Sequence, residues 1–225
     1  MPGRKIPLAT GEIYHVLNRG VASQPIFRSK RDYQRAQETI FFYQIKQLPL
    51  SFSRFLSLSS ARRQEMLRER RKKKDFWVEI IAYCLMPNHF HFLLKQVDKS
   101  GISIFMSQFS NSYTRFFNLN RNRTGPLLQG KFKAIRIETE EQLNHISRYI
   151  HLNPYSSYVV KTLKQTITYP FSSLSEYLNP QLTSLCQKEI IMNNFKTTSQ
   201  YEKFVLNRAD YQRRLEEIKH LALEK

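Results

Sequence analysis

The run Met86-Pro87-Asn88-His89-Phe90-His91-Phe92-Leu93-Leu94 constrains the fold of this chain more than any other segment. Pro87-Asn88 interrupts an apolar, strand-forming stretch with turn chemistry. Trp77 to Met86 and His89 to Lys95 therefore read as the two arms of a hairpin. Side chains alternate faces along a strand. Phe90 and Phe92 share one face and are core candidates; His89 and His91 share the other. Two imidazoles side by side on a strand are hard to explain by packing and easy to explain as two ligands of one metal ion. Two ligands leave the site open, as a catalytic metal requires. The alternative is a pair of acid–base histidines, but phosphodiesterases of that kind carry them on paired His-x-Thr/Ser runs, and no such pair occurs here.

The 225 residues suffice for one domain, or one domain with an appendage, and 41% apolar residues with 16 Phe supply a sizeable core. The charge is unusual: 36 Lys+Arg against 18 Asp+Glu gives +18, with a pI near 10.0. Such an excess points to a polyanionic partner. Cys84 and Cys186 stand too far apart for a disulfide framework or a zinc finger, which fits a reducing cytoplasm. No secretory signal is visible, and no stretch reaches the roughly 20 apolar residues of a membrane span.

Elsewhere, Glu12 to Leu17 reads as a strand and Lys30 to Ile45 as a helix with Tyr33, Ala36, Ile40 and Phe41 on one side. Residues 46–75 look like an insertion, in which a serine-rich segment leads to the basic run Arg68 to Lys74. Such a run reads as a solvated helix face or a mobile loop, and it also suits a grip on phosphates. Ile102 to Leu119 is helical and Lys131 to Ile137 is a fourth strand. Thr139-Glu140-Glu141-Gln142 has capping-box spacing and opens a helix expected to end near Asn153, before Pro154. The order of elements predicts an α+β fold: a ferredoxin-like (split βαβ) antiparallel sheet with helices on one face and a C-terminal helical extension. The expected division is a domain over 1–178 and a helical tail over 179–225. Residues 199–223 are an amphipathic helix candidate, read as packed on the domain.

The helix opened at Thr139 holds the other half of the chemistry. Leu143, Ile146 and Ile150 form its packed stripe, while Tyr149 and Asn153 stand at i and i+4 on one side. An amide oxygen is a reasonable third ligand for Mg or Mn, and a phenol one turn away is a reasonable nucleophile. Tyr113 is the rival nucleophile, without an amide one turn away.

Together these segments resemble a known family. Pro87-Asn88-His89-Phe90-His91 is similar to the His-hydrophobe-His motif of single-tyrosine transposases, and Tyr149-Ile150-His151-Leu152-Asn153-Pro154 to the motif around their catalytic tyrosine. Tyr14 to Gly20, Gly125 to Lys133, and Tyr169-Pro170-Phe171-Ser172-Ser173 with Glu176-Tyr177-Leu178 resemble the branch associated with repetitive extragenic palindromes (REP). The resemblance spans about residues 10–180 in order; the insertion at 46–75 departs from it.

The resemblance implies a metal-dependent single-stranded DNA endonuclease and strand transferase. His89, His91 and Asn153 would hold a divalent ion, Mg or Mn, and Tyr149 would form a 5′-phosphotyrosine link. The substrate would be single-stranded DNA with a hairpin at a repeat. Arg115, Arg121, Arg123, Lys131, Lys133 and Arg136 would track its phosphates. A bacterial cytoplasm near the nucleoid is the implied location, with monomer or homodimer open. Two readings compete: a non-catalytic nucleic-acid-binding protein of ferredoxin-like fold, and a metal nuclease that uses water.

Overall fold

Alternating apolar residues build a four-stranded antiparallel sheet from β1 (Ile13–Arg19), β2 (Val78–Met86), β3 (His89–Gln96) and β4 (Lys133–Ile137), in the order β2-β3-β1-β4. The computed structural model describes residues 7–46, 48–179, 181–182 and 186–223, with side chains throughout except at 71 and 217–223. The strand order is that of a split βαβ sheet, with β1 and β3 at its centre. Register places His15 opposite Leu93, Leu17 opposite His91 and Arg19 opposite His89. One face therefore carries His15, Leu17, Arg19, His89 and His91, and the other carries Tyr14, Val16, Phe90 and Phe92.

The phenylalanine face is the core. Phe90 and Phe92 are fully buried, and their rings meet Phe109 of α4 (Gly101–Leu119) at 5.2 and 5.6 Å. Truncating one such ring to alanine would cost about 3–5 kcal/mol. α1 (Lys30–Tyr43) packs beside α4 on this face. Its first turn is closed by a Ser29–Asp32 capping box, and the buried Asp32 also accepts from Arg121 Nη2 at 2.6 Å. α4 begins at glycine for a steric reason: a Cβ at Gly101 would stand 2.1 Å from the Trp77 carbonyl oxygen.

The insertion is helical. The serine-rich segment holds α2 (Phe52–Ser57), and most of the basic run falls in α3 (Ser60–Lys72), the solvated helix of the two readings. Phe55 anchors them, buried against Phe42 at 5.1 Å between ring centres. The excursion closes on itself where Lys46 N donates to the Asp75 carbonyl at 3.1 Å.

α5 (Glu140–Ser156) covers the opposite face, the one bearing the histidines. Thr139 caps it, accepting from Gln142 N at 3.1 Å. The helix does not stop before Pro154, which lies inside it, two residues from its end. Proline removes one helical N–H and crowds the preceding turn. That cost falls in the last turn, where Ser157 N still reaches the Asn153 carbonyl at 3.0 Å. The short helices α6 (Leu163–Ile167), α7 (Leu174–Leu178) and α8 (Glu189–Met192) follow. The 199–223 candidate is two helices, α9 (Thr198–Leu206) and α10 (Ala209–Leu223), both packed on α5.

Residues 169–173 run along the outer edge of β2. Leu85 N donates to Phe171 O at 2.8 Å, Ser173 N to Tyr83 O at 3.0 Å, and Tyr169 Oη to Leu85 O at 2.9 Å. This covers a sheet edge that would otherwise offer unpaired backbone groups. His151 ties this edge to the tail. Its Nδ1 lies 2.8 Å from Tyr201 Oη and its Nε2 2.8 Å from Ser173 Oγ. Cys84 and Cys186 are both buried and form no disulfide.

Burial lowers the His151 pKa to about 3, so the folded protein keeps it neutral while the unfolded chain protonates it near 6.5. The unfolded state then binds more protons, and stability is lost as pH falls from about 6.5 towards 3. The slope contributed by this one group is at most about 1.4 kcal/mol per pH unit. His151→Gln is expected to flatten the fall in unfolding free energy between pH 6.5 and 4, measured by denaturant titration. Parallel pH profiles for variant and wild type would contradict it.

Candidate active site

The end of β1 and the turn between β2 and β3 are clamped together. Gly20 N donates to the Asn88 carbonyl at 2.8 Å, and Ile26 N and Phe27 N to the Pro87 carbonyl at 2.7 and 2.9 Å. A Cβ at Gly20 would come within 2.2 Å of the Gln24 carbonyl oxygen, so this approach needs glycine. The clamp fixes the strand end that carries His89.

His89 is held from both sides. Its Nδ1 lies 2.6 Å from Asn88 Oδ1 and its Nε2 3.3 Å from Asn153 Oδ1. Burial, opposed by Asn153 and aided by the nearby charge of Arg19, lowers its pKa to about 4. At neutral pH the ring carries one N–H for two oxygen partners. The second contact brings two acceptors together, an arrangement a cation between them would satisfy.

His91 sits deeper, 4% exposed. Its Nδ1 lies 2.9 Å from His15 Nε2, and the two rings stack with centres 5.1 Å apart. His15 is also buried, which lowers its pKa to about 4. His15 thus engages one nitrogen of His91 and orients the ring, as partners of metal-binding histidines do. The ring of His89 stands perpendicular to that of His91, with centres 4.9 Å apart.

α5 brings the other two residues. The half-buried Tyr149 sets its ring edge-on to His91 at 5.4 Å and to His15 at 6.0 Å. One turn on, Asn153 reaches His89 and also accepts from Ser157 Oγ at 3.3 Å. α10 braces this helix: Gln212 Nε2 donates to the Tyr149 carbonyl at 3.1 Å and to Ser156 Oγ at 3.2 Å. His89, His91, Tyr149 and Asn153 therefore meet within one chain. Tyr113 stands apart on the phenylalanine face, donating to Ile26 O at 2.6 Å, and burial raises its pKa.

Two imidazoles and one amide oxygen are groups able to ligate a divalent cation. Among the described residues, no group of three or more His, Cys, Asp or Glu is arranged to hold a metal ion.

The six basic residues singled out in the sequence do not form one patch. Lys131 and Lys133 are exposed, and Lys133 stands opposite Leu17 on the histidine face. Arg115 and Arg123 line a shallow groove of about 480 Å³ at the end of α4, where Arg123 also donates to Asn118 Oδ1 at 2.9 Å and Pro126 O at 2.7 Å. Arg121 pairs with the buried Asp32 and stacks on Phe117 at 4.1 Å, which gives it a structural task. Arg136 points to the other face and pairs with Glu12 at 2.9 Å.

Three participants, His15, Arg19 and Asn88, carry no local signal of their role in the sequence. Alternation along β1 puts His15 and Arg19 on one face, but only the pairing of β1 with β3 places them beside His89 and His91.

Residues 57–153 match the family described as transposase IS200-like. No curated protein sequence matches the chain. Among solved structures, the chain resembles that of a REP-associated tyrosine transposase bound to a REP hairpin. The likeness has 16% identity over 82% of this chain and 89% of that one, with a TM-score of 0.50. At that identity the likeness speaks for the fold. No helix among the described residues is long and apolar enough to cross a membrane. The matched segment holds both the hairpin of His89 and His91 and the helix of Tyr149 and Asn153, so the part of the chain that carries the candidate site is similar to the IS200-like transposase family.

Proposed function

We propose that this protein is an IS200-like transposase that cuts and rejoins single-stranded DNA through Tyr149, at a hairpin-bearing repeat of the REP kind. The observation that carries this reading is the meeting of Tyr149 and Asn153 with His89 and His91, at ring separations of 5.4 Å for Tyr149–His91 and 4.9 Å for His89–His91. The hairpin substrate is suggested by the solved relative, which is bound to one.

His89, His91 and Asn153 would hold a divalent ion, Mg or Mn. When bound, it supplies positive charge to the oxygens of the scissile phosphate. His89 offers a neutral ring and His91 a second imidazole, His15 and Asn88 orient them, and Asn153 adds its amide oxygen. Tyr149 Oη attacks phosphorus, the P–O3′ bond breaks, and a 5′-phosphotyrosine bond forms. The phenol proton is balanced by the proton on the released 3′-hydroxyl. The phosphodiester's energy is retained in the new ester, so a 3′-hydroxyl can attack it and rejoin the strand without ATP. Arg19, Lys131 and Lys133 would take neighbouring phosphates; Arg115 and Arg123 would act further off, at the end of α4. Arg121 and Arg136 already have carboxylate partners and would contribute less.

The test is a denaturant-stable protein–DNA band formed with labelled hairpin DNA and Mn or Mg. Tyr149→Phe should lower its yield at least about 10³-fold, as loss of a nucleophile does, and a chelator should abolish it. Cleavage without a band would favour a water-using nuclease; binding with neither would favour a non-catalytic binder. A second expectation concerns His15. His15→Phe keeps a ring of similar size and removes the contact to His91 Nδ1. Affinity for Mn, measured by titration of the DNA-free protein, should fall about 10- to 100-fold with the thermal midpoint little changed. Unchanged affinity would remove His15 from the site.

A further inference from the structure

A strongly basic concavity lies away from the histidines. α1 and the inserted helix α3 enclose a cleft of about 760 Å³ lined by Arg31, Arg35, Arg63 and Arg68, with Glu38 as its one carboxylate. α1 lies on the phenylalanine side of the sheet, so the cleft and the candidate active site occupy opposite faces. Arg63 pairs with Glu38, which leaves Arg31, Arg35 and Arg68 without an ion pair among the described residues. Arg63 Nε is buried and donates to no acceptor. A buried donor left unmatched is costly, about 1–3 kcal/mol, and marks a place where an acceptor would be favourable.

The arginines are also pre-positioned. Arg35 is half-buried and lies over Phe116 at 4.7 Å and over Phe52 at 5.6 Å. Burial, together with the like charges of Arg31 and Arg63, lowers its pKa against the pull of Glu38. Crowding like charges is unfavourable unless an anion offsets it. Stacking on ring faces leaves the guanidinium edge for N–H donation, the geometry that suits phosphate oxygens. The floor aromatics, Phe41 and Phe55, are 7% and 2% exposed, so they offer no ring face for a base. The cleft is therefore built for a backbone and not for bases. α3 extends it: residues 60–72 hold six Lys and Arg against two Glu.

We propose that the cleft between α1 and α3 is a second DNA-binding site, gripping the phosphodiester backbone of DNA that flanks the cut strand. This rests on the DNA-cutting reading, because that substrate supplies the polyanion. DNA confined to the hairpin and cleavage site fills the active site alone. DNA with a long flank passes the edge of the sheet and reaches the cleft.

The test uses the full chain and two labelled DNAs: a hairpin with minimal flanks, and the same hairpin with a single-stranded flank of about 20 nucleotides. Arg31→Ser, Arg63→Gln and Arg68→Ser are combined, leaving the stacked Arg35 in place. For the long DNA we expect affinity about 10-fold weaker or more, and a log–log salt slope shallower by about 2, from roughly 0.7 per phosphate contact. Affinity and adduct yield on the short DNA should be unchanged. Should the triple variant fold poorly, Gln34→Glu with Gln64→Glu weakens the local positive field from exposed positions and should act in the same direction. Equal affinity of variant and wild type for the long DNA overturns the proposal, as does an equal loss on both DNAs. If wild type forms no adduct with the short DNA, the cutting reading fails. If it forms one and the variants bind long DNA normally, the cleft alone fails.

Discussion

The antiparallel pairing of β1 with β3 is the constraint on which the rest of the site depends. Leu17 opposes His91 and His15 opposes Leu93, so three imidazoles occupy one face of the sheet while Phe90, Phe92 and Val16 occupy the other. A one-residue slip in register would drive His89 and His91 into the apolar core and put Phe90 and Phe92 under α5. Burial of the phenylalanines against α4 thus fixes the position of the histidines. The same packing that stabilises the domain aims the chemistry.

α5 converts that face into a site. Its cap at Thr139 starts the helix in phase, and its side facing the sheet carries Tyr149 and Asn153 one turn apart. The helix is locked by contacts remote from the histidines: His151 joins Tyr201 and Ser173, and Gln212 joins the Tyr149 carbonyl and Ser156. The segment after residue 178 therefore has a mechanical role. It presses the tyrosine helix onto the sheet, while the outer side of β4, with Ile135 58% exposed and Lys133 beside it, stays open to solvent.

The hairpin, the four strands and the i, i+4 relation of Tyr149 to Asn153 were legible because each rests on local periodicity. His15, Arg19 and Asn88 were harder to see. Their role depends on which strand lies beside β3 and on how the turn at Pro87 is clamped, and neither is a local property. Pro154 misled as a helix stop because its penalty is small two residues from a helix end. In the basic insertion the charge run takes the helical of the two forms its composition allows, but the cleft it helps enclose depends on the docking of Phe55 against Phe42, a contact that local charge does not signal. Net charge announced a polyanion without saying that Arg121 and Arg136 are occupied by Asp32 and Glu12.

The most direct measurement is the location of DNA on the protein after reaction. Trypsin cuts after Arg148 and Lys161, releasing residues 149–161 as one peptide. Fragmentation mass spectrometry of the nuclease-trimmed adduct should place the residual nucleotide on Tyr149, through its 5′-phosphate. A nucleotide on Tyr113, on Tyr155 or Tyr158 within the same peptide, or on no tyrosine at all, would contradict a site built from His89, His91, Asn153 and Tyr149.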